Sequence, residues 1–344
     1  MRLRIMTFNI DNLFARRTLA PEPLDALPAA AFGEAEAARR RLLTEAAALL
    51  LDDEARGFAA LAIRAGRPDL VLLQEVESAQ ALTFFHDHYL VPLGGQAMPH
   101  RAVLEGNDPR GISLAVMSRL PLDGIVSHRH LTLETLFDAG FRFEDYGISH
   151  RSATHDRRYA DPETRVFSRD CQEVRLEVEG RSLLLFNVHF KAATPSRAHT
   201  LLSRLAEAAG VAHLLRSRAE RRGQAHWLVG GDLNDYSHVE GEADAGHGLG
   251  PLLDSGLVVD SMQRLAAPAE RWTHFDPEDG CYRHLDHLLL SPALAAANPA
   301  AVPEIVRAGQ PWRAERIAGP RFPRVGWDRP KASDHCPMVL ELEV

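Results

Sequence analysis

Apolar residues fall in short runs along this chain, separated by longer polar connections. Residues 3–10, LRIMTFNI, alternate as in a β-strand with one buried face. Residues 69–74 and 227–229 are nearly continuous apolar runs, which is typical of strands buried on both faces. Further strands are predicted at residues 112–117, 173–178, 183–188, 284–290 and 338–344.

Two segments carry the period of an amphipathic helix. Apolar residues recur three and four apart over residues 34–65, interrupted at Asp52-Asp53, and again over residues 198–222. The predicted strands therefore outnumber the helices. Stretches that fit neither period are interpreted as insertions in a single domain of residues 1–344, and they lie near residues 15–33, 138–170 and 300–331.

The composition is that of an ordinary globular protein. The 344 residues are 45% hydrophobic, enough for one large core or two modest ones, and no apolar run approaches the roughly 20 residues of a membrane span. The first residues lack the apolar segment of a secretory signal, so we expect a cytoplasmic protein. Cys171, Cys281 and Cys336 lack CxxC spacing, which predicts small buried residues rather than disulfides or a thiolate zinc site.

The charge balance argues against a general surface for polyanions. The formal net charge is -8, from 39 Lys and Arg against 47 Asp and Glu, whereas affinity for phosphate backbones comes chiefly from basic residues. A phosphate-rich partner must therefore be bound locally. The arginine-rich segment 146–169, which also holds histidine and aromatic residues, has two interpretations that stay open, a nucleic-acid contact surface and a solvated loop.

Polar side chains recur immediately after the predicted strands. Pro337 excludes a helix in SDHCP, so Asp334 and His335 lie on a loop at the mouth of the last strand. If the strands lie side by side, such ends meet at one rim, where carboxylates repel each other unless a cation is present. Oxygen ligands without a cysteine or paired-histidine cluster favour Mg²⁺ or Mn²⁺ over zinc, and with a carboxylate-oriented histidine they predict phosphoryl chemistry. The rim residues are Asn9, Glu75, His189, Asp232, Asn234, Asp286, Asp334 and His335.

Seven short motifs run in order from residue 5 to about residue 340: TFNIDN, LLQEV, ISLAVMSRLP, FNVHFK, GGDLND, RHLDHLLLS and SDHCP. The series resembles the endonuclease/exonuclease/phosphatase superfamily, which includes deoxyribonuclease I, apurinic endonucleases, sphingomyelinases and inositol-polyphosphate 5-phosphatases. The resemblance implies an α/β (α+β) fold. It is a four-layered α/β/β/α sandwich of two mixed, mostly antiparallel sheets flanked by helices, with the site at one edge.

The resemblance also implies which residues hold the metal. Glu75 would be the principal ligand, with Asn9 beside the ion and Asp334 acting through the metal or its waters. Two cations are our candidates for contacts to the substrate phosphate. Arg169 precedes a strand that should approach the site, and Lys191 lies in FNVHFK.

Five further residues receive catalytic roles by the same resemblance. Asp232 would position and activate the attacking water, and Asn234 would hold that water or the phosphate. His189 would stabilise the pentavalent phosphorus. His335 would pair with Asp286, whose carboxylate selects the imidazole tautomer, and His335 would then act either as the base or as a phosphate-binding cation.

The chain departs from the family pattern directly after Asp286, where an aromatic residue is usual and this chain has His287. The alternation in HLDHLLL places His287 on the opposite face of the strand from Asp286. Its role there is either structural or catalytic. The apurinic-endonuclease pattern has a tyrosine where this chain has His189. The chain therefore favours the deoxyribonuclease I, sphingomyelinase and phosphatase branches.

Two functions are compatible with these observations. The first is a metal-dependent phosphodiesterase that hydrolyses DNA or RNA by in-line attack of an activated water. The alternative, favoured by the acidic net charge, acts on a small-molecule or lipid phosphate of the inositol-phosphate or sphingomyelin type. The complete set of rim residues disfavours a non-catalytic binding module, and the missing DxH and GNH[DE] motifs exclude the dinuclear metallophosphoesterases. No obligate protein partner is indicated.

Overall fold

Two six-stranded β-sheets pack face to face in this protein. The computed structural model describes residues 1–14, 52–149, 152, 157–222, 225–239 and 241–344. The insertion near residues 15–33 and the first part of the helical pattern over 34–65 lie outside these residues.

The described strands, in chain order, are β1 (Arg2–Leu13), β2 (Leu70–Val76), β3 (His100–Leu104), β4 (Ser113–Ser118), β5 (Gly124–Ser127), β6 (Cys171–Val178), β7 (Arg181–His189), β8 (Trp227–Asp232), β9 (His238–Val239), β10 (Glu242–Ala243), β11 (Val259–Asp260), β12 (His274–Phe275), β13 (Tyr282–Arg283), β14 (Asp286–Leu290), β15 (Glu304–Ile305) and β16 (Met338–Glu343). The described α-helices are α1 (52–66), α2 (Ala79–Phe85), α3 (Leu133–Asp138), α4 (Arg157–Ala160), α5 (Leu201–Arg222), α6 (Gly250–Leu253) and α7 (Pro292–Ala297). Shorter helical turns occupy His86–Leu90, Phe143–Tyr146, Ser261–Arg264 and Pro268–Glu270.

Each sheet contains one parallel pair of strands. The first sheet has the order β15-β16-β1-β2-β4-β3, with β1 and β2 parallel. The second has the order β11-β14-β8-β7-β6-β5, with β7 and β8 parallel. Because parallel strands end on the same side, the residues that follow β1 and β2 emerge together, as do those that follow β7 and β8.

The strands that the hydrophobic pattern predicts are present, whereas β3, β5 and the two-residue strands were not predicted. β2 is buried along almost its whole length, whereas β16 exposes Glu341 and Glu343 between buried neighbours. The segment 300–331 is less irregular than expected, because it contains β15, which pairs with β16.

The main core lies between the two sheets. Leu72 of β2 and Leu288 of β14 belong to this core, which residues of both sheets fill. Helix α5 covers the outer face of the second sheet with Leu215, and α1 covers the outer face of the first with Ile63. The fold is therefore the four-layered α/β/β/α sandwich that the motifs imply.

Two further sequence expectations concern membranes and cysteines. Among the described residues, no helix is both long and apolar enough to cross a bilayer. All three cysteines are free, and Cys171 and Cys336 are buried as expected. The expectation is wrong for Cys281, which is exposed because it lies in the turn between β12 and β13 rather than in a core strand.

Candidate active site

Both sheets contribute polar side chains to one rim of the sandwich. Asn9 and Glu75 lie near the ends of the parallel strands β1 and β2. His189 and Asp232 are register partners at the ends of β7 and β8. Asp286, the first residue of β14, is the register partner of Asp232 on its other side. The rim predicted from the strand-end positions is therefore present.

Asp232 is the centre of this rim. Its Oδ2 accepts hydrogen bonds from Asn9 Nδ2 and Asn234 Nδ2, both at 3.0 Å, and its Oδ1 accepts one from the backbone N–H of Asn234 at 2.8 Å. His189 Nε2 and His335 Nε2 lie 3.4 and 3.8 Å from the same Oδ2. Burial raises the pKa of the Asp232 carboxyl, against the opposing influence of His335. Two amides thus hold this carboxylate in one orientation between two imidazoles.

His335 and Asp286 form a buried pair. His335 Nδ1 lies 2.7 Å from Asp286 Oδ2, and Thr273 Oγ1 accepts a hydrogen bond from the Asp286 backbone N–H at 3.0 Å. Because a carboxylate oxygen accepts hydrogen bonds, Nδ1 carries the proton shared with Asp286. The other ring nitrogen, Nε2, faces Asp232. Burial alone would lower the pKa of His335, but the charges of Asp286 and Asp232 raise it well above its ordinary value.

Hydrogen bonds hold the loop that carries His335. Ser333 Oγ donates to Asn9 O at 2.7 Å and accepts from the His335 backbone N–H at 3.0 Å. The buried Gln310 donates through Nε2 to Ser333 O at 3.0 Å and to His335 O at 2.9 Å. Gln310 belongs to no motif, so the sequence offered no signal for this brace between the segment 300–331 and the catalytic loop.

Three carboxylates gather on the other side of the rim. Glu75 has a left-handed backbone (φ 66°) at an irregularity in the β2–β4 pairing, the kind of bulge that re-aims a side chain. Burial, and then Asp334 and Asp11, raise the pKa of Glu75 to about 7. Asp11 is exposed on one side, but partial desolvation and the charge of Asp334 likewise raise the pKa of its carboxyl. Asp334 thus opposes the ionisation of both Glu75 and Asp11, which a divalent cation would relieve.

Around Glu75 the donor atoms are oxygens, and an imidazole, that of His274, lies beside Asp334 at the edge of this set. Glu75, Asn9 and Asp334 offer carboxylate and amide oxygens, and Asp11 adds a further carboxylate that sequence reasoning missed although it lies within TFNIDN. Such donors fit a hard divalent cation such as Mg²⁺ or Mn²⁺ better than zinc.

His274 is a second residue that sequence reasoning missed. Its Nε2 lies 3.7 Å from Asp334 Oδ2, and its ring centroid lies 4.8 Å from that of His335. Partial desolvation would raise the pKa of the half-buried Asp334, but His274 and His335 outweigh it and lower that pKa. None of the seven motifs contains His274. A non-local backbone bridge to His335 brings it to the site.

His189 is almost completely buried beside two carboxylates. Its Nε2 lies 3.4 Å from Asp232 Oδ2 and 3.9 Å from Glu75 Oε1. Burial lowers the pKa of its imidazole far below the ordinary value, and the charges of Arg169 and His335 lower it further. His189 is therefore neutral at physiological pH.

The two basic side chains that are candidates for contacts to the substrate phosphate have different surroundings. Arg169 is buried, donates through Nε to Asp108 Oδ2 at 3.1 Å, and donates through Nη1 to Phe190 O. Lys191 is partly exposed, and its ammonium group has no hydrogen-bond or ion-pair partner within the described ranges. Lys191 is thus free to meet a ligand, whereas Arg169 already holds protein groups.

The aromatic residues of the arginine-rich segment are mostly committed to packing. Tyr159 and Phe167 are buried in the core under α5, so their rings cannot stack on bases. Arg165 donates to Asn107 Oδ1 at 2.6 Å. Arg151 lies outside the described residues. The described part of the segment therefore favours a structural loop over an aromatic contact surface.

Comparison with known proteins agrees with this geometry. A profile of the Endonuclease/Exonuclease/phosphatase family matches residues 6–335. The search of the curated proteins gave no match.

Solved structures with the same fold cover nearly the whole chain. A family protein from Bacteroides thetaiotaomicron is 14% identical, with a TM-score of 0.54 over 99% of this chain and 95% of that one. A mannosyl-6-phosphatase from the same organism is 14% identical, with a TM-score of 0.53 over 99% and 100%. TDP2 from D. rerio, complexed with single strand DNA product, is 16% identical, with a TM-score of 0.51 over 100% and 99%. With its profile matched over nearly its full length, the chain belongs to the endonuclease/exonuclease/phosphatase family, whose members are hydrolases that act on phosphoester bonds.

Proposed function

We propose that this phosphoesterase is a Mg²⁺- or Mn²⁺-dependent phosphodiesterase that hydrolyses DNA or RNA by in-line attack of an activated water. The observation that carries the proposal is the position of Asp232. This carboxylate lies 3.0 Å from Asn9 on the metal side of the rim and 3.8 Å from His335 on the other side. A phosphate bound across the rim would therefore meet the metal ligands, the water-activating carboxylate and the imidazole together.

The proposed metal ligands are Glu75, Asn9 and Asp334, with Asp11 close by. A bound divalent ion would polarise the phosphate and stabilise the leaving oxygen. Asp334 raises the carboxyl pKa of both Glu75 and Asp11, and this crowding of carboxylates supports such an ion.

Asp232 is the proposed base. Burial raises the pKa of its carboxyl, which makes the ionised form a better proton acceptor. The two amide donors, Asn9 and Asn234, leave the carboxylate one orientation in which to receive the proton of an attacking water. Asn234 also donates to Phe190 O at 3.0 Å, which holds it beside that water.

His335 is the proposed cation on the phosphate. Asp286 and Asp232 raise its pKa, so the imidazole is protonated at neutral pH and Nε2–H can donate to a phosphoryl oxygen. A protonated imidazole is a poor base, which favours Asp232 for that role. The neutral His189 supplies a second ring N–H near the same carboxylate and would stabilise the pentavalent phosphorus.

The segment 300–331 supports a nucleic-acid substrate. It carries Trp312 and Trp327, which are 53% and 62% exposed, and Gln310 joins it to the catalytic loop. Arg329 and Lys331 line a cavity of about 470 Å³ that also reaches Asp11. Exposed aromatic rings next to cations are the combination that holds single-stranded nucleic acid by stacking and charge. Among similar folds, TDP2 was solved with single strand DNA product.

A small phosphorylated substrate is the second candidate. The net charge of -8 weakens attraction to long polyanions, and the similar Bacteroides protein is a mannosyl-6-phosphatase. Under this alternative the exposed tryptophans have no part in substrate binding.

A substrate screen separates the two candidates. The purified protein is incubated with Mg²⁺ or Mn²⁺ and single- or double-stranded DNA, RNA, sugar phosphates, inositol phosphates or sphingomyelin vesicles. We expect cleavage of nucleic acid that Asp232→Asn abolishes. Release of phosphate or head group without cleavage of nucleic acid would support the alternative, and no turnover of any substrate by the folded protein would contradict both.

A tryptophan variant then tests the substrate contact. We expect Trp327→Ala to raise KM for single-stranded oligonucleotides by about tenfold, the effect of losing one stacked base, without changing hydrolysis of bis-p-nitrophenyl phosphate. Val302→Ala, which removes another exposed apolar side chain of the same segment, is the matched control and should change neither. Equal loss on both substrates would mean that Trp327 acts on the fold instead.

A further inference from the structure

A second cluster of metal-binding side chains lies beside the proposed active site. Asp260 Oδ2, His284 and His287 each offer one ligand atom, and these atoms all lie within 4.8 Å of one another. Asp260 ends β11 and His287 is in β14, which pairs with β11. The imidazole of His287 lies on the opposite face of β14 from Asp286, as the alternation predicts. None of the proposed catalytic or metal-binding roles uses these three residues.

Each of the two histidines has one buried ring nitrogen without a hydrogen-bond partner among the described residues. His287 Nε2 lies 3.2 Å from Asp235 O, and because a carbonyl only accepts, Nε2 carries a proton and Nδ1 is the nitrogen that can accept. Nδ1 is then an acceptor, and it is buried without a partner among the described residues. His284 is buried, and its Nε2 is likewise without a partner within the described chain.

The two rings and the carboxylate converge. The ring centroids of His284 and His287 are 3.9 Å apart, and His287 Nδ1 lies 3.9 Å from Asp260 Oδ2. Gln263 Nε2 donates to Asp260 Oδ2 at 3.5 Å, and the buried His287 Nδ1 and His284 Nε2 have no partner among the described residues. A cation bound among these atoms would use both unpartnered nitrogens and the carboxylate at once. Buried polar atoms without partners are rare and call for an explanation of this kind.

We propose that Asp260, His284 and His287 form a second metal site, of the zinc class, that ties β11 to β14 next to Asp286. Two imidazole nitrogens and one carboxylate oxygen are ligands that Zn²⁺ prefers, and they differ from the oxygen donors around Glu75. His287 directs its other nitrogen to the backbone carbonyl of Asp235, the arrangement that orients zinc-binding histidines.

The ligand atoms need only a small adjustment. Zn–N bonds of about 2.0–2.1 Å put tetrahedral ligands about 3.3 Å apart, so atoms that lie within 4.8 Å of one another close by side-chain rotation. Arg271, whose charge acts on His284, is engaged by Gln263 Oε1 at 2.6 Å and Leu265 O at 2.7 Å and does not fill the site. A water would complete the fourth position.

Metal content tests the proposal independently of turnover. The protein is loaded with Zn²⁺ in an excess of Mg²⁺, desalted, and analysed for zinc by mass spectrometry and for thermal unfolding. We expect wild type and Glu75→Gln to retain one equivalent, because the site does not use Glu75, and to unfold at a higher temperature with zinc than without it.

Two variants should lose this zinc while folding normally. Asp260→Asn keeps the side-chain oxygen that accepts from the Met262 backbone N–H, and His287→Gln keeps an N–H for Asp235 O. Cys281→Ser is the matched control, since it removes the exposed thiol nearest in sequence to His284, and it should retain the zinc.

Cobalt gives a second measurement. We expect Co²⁺ bound to wild type to show the intense visible absorption of a four-coordinate ion, lost in Asp260→Asn and unchanged in Cys281→Ser. If His287→Gln fails to fold by circular dichroism, Asp260→Asn decides the question. A wild type that retains no zinc, or an Asp260→Asn protein that retains as much as wild type, would overturn the proposal.

Discussion

His335 Nδ1 lies 2.7 Å from Asp286 Oδ2, a contact between residues 49 positions apart in the chain. Asp334, the immediate neighbour of His335, faces His274 instead. The acid and the imidazole of the SDHCP motif are therefore not partners of each other. Each belongs to a different part of the rim, His335 to the imidazole–carboxylate pair and Asp334 to the carboxylates around Glu75.

The first prediction concerns this pair. Asp286→Asn should lower kcat by about 10²–10⁴-fold, because the amide no longer raises the pKa of His335 or selects its tautomer. His335→Gln should cost about as much, and the double variant should be little worse than either single one, since the two residues act as a unit. Hydrolysis of bis-p-nitrophenyl phosphate at saturating Mg²⁺ measures all three.

Asp123→Asn is the matched carboxylate-to-amide control for that series. Asp123 accepts a hydrogen bond from the Glu177 backbone at the opposite end of the second sheet, and its loss should leave kcat unchanged. Activity above a tenth of wild type in Asp286→Asn would contradict a catalytic role for the His335–Asp286 pair.

The second prediction is a pH dependence of the metal-free protein. Burial and neighbouring carboxylates raise the pKa of Glu75 from 4.5 to about 7. Between these values the folded protein binds a proton that the unfolded chain does not, so stability falls as pH rises through this window. The loss is at most about 3 kcal/mol, from a difference of about 2.5 pKa units.

Glu75→Gln should weaken both the fall in stability with rising pH and the stabilisation by Mg²⁺. In a chelator, wild type should unfold at a lower temperature near about pH 8 than near about pH 5.5, and the glutamine variant should show a smaller difference. Added Mg²⁺ should stabilise wild type at the higher pH and not the variant. A wild-type protein whose unfolding is indifferent to both pH and Mg²⁺ would argue against Glu75 as the principal ligand.

The third prediction distinguishes the two residues proposed to contact the substrate phosphate. Lys191→Ala should raise KM by about tenfold, the cost of one charged hydrogen bond, with little change in unfolding free energy, because the ammonium group holds no described protein group. Arg169→Lys should instead lower the unfolding free energy by about 1–3 kcal/mol, since lysine cannot reach Asp108 and Phe190 O at once.

Arg169→Lys should also lower kcat, because Phe190 O accepts from both Arg169 and Asn234. Denaturant unfolding and steady-state kinetics on the same preparations distinguish the two residues. An Arg169→Lys protein of wild-type stability with a raised KM would show that this guanidinium contacts substrate directly.

The fourth prediction concerns the last aspartate of GGDLND. Asp235 is fully buried and accepts from Arg204 Nε at 2.8 Å and Arg197 Nε at 2.5 Å. Asp235→Asn should lower the unfolding free energy by about 3–5 kcal/mol, because it leaves the buried Arg204 guanidinium without a compensating charge. Asp244→Asn, which removes a partly exposed partner of Arg197, should cost under about 1 kcal/mol in the same urea titration. Similar costs for both variants would contradict the buried ion pair.

The sequence by itself determined the strands and the rim. Continuous apolar runs and period-two alternation are local properties, so β2, β8 and β16 could be located without knowing their neighbours. The ordered motifs added the layered fold and the expected set of strand-end residues. These residues meet because β1 pairs with β2, and β7 with β8, in parallel. The sequence pattern implied such neighbouring strands but did not give their pairing register.

Only the tertiary structure decided which polar groups lose their water and which partners replace it. Arg169 and Lys191 looked alike in the sequence, yet one is buried on Asp108 and the other stays free of described partners. His274 reaches Asp334, and His287 stacks on His284, through pairings that no local pattern encodes. Burial and pairing set pKa values and ligand sets, and both depend on what packs over a residue from distant parts of the chain.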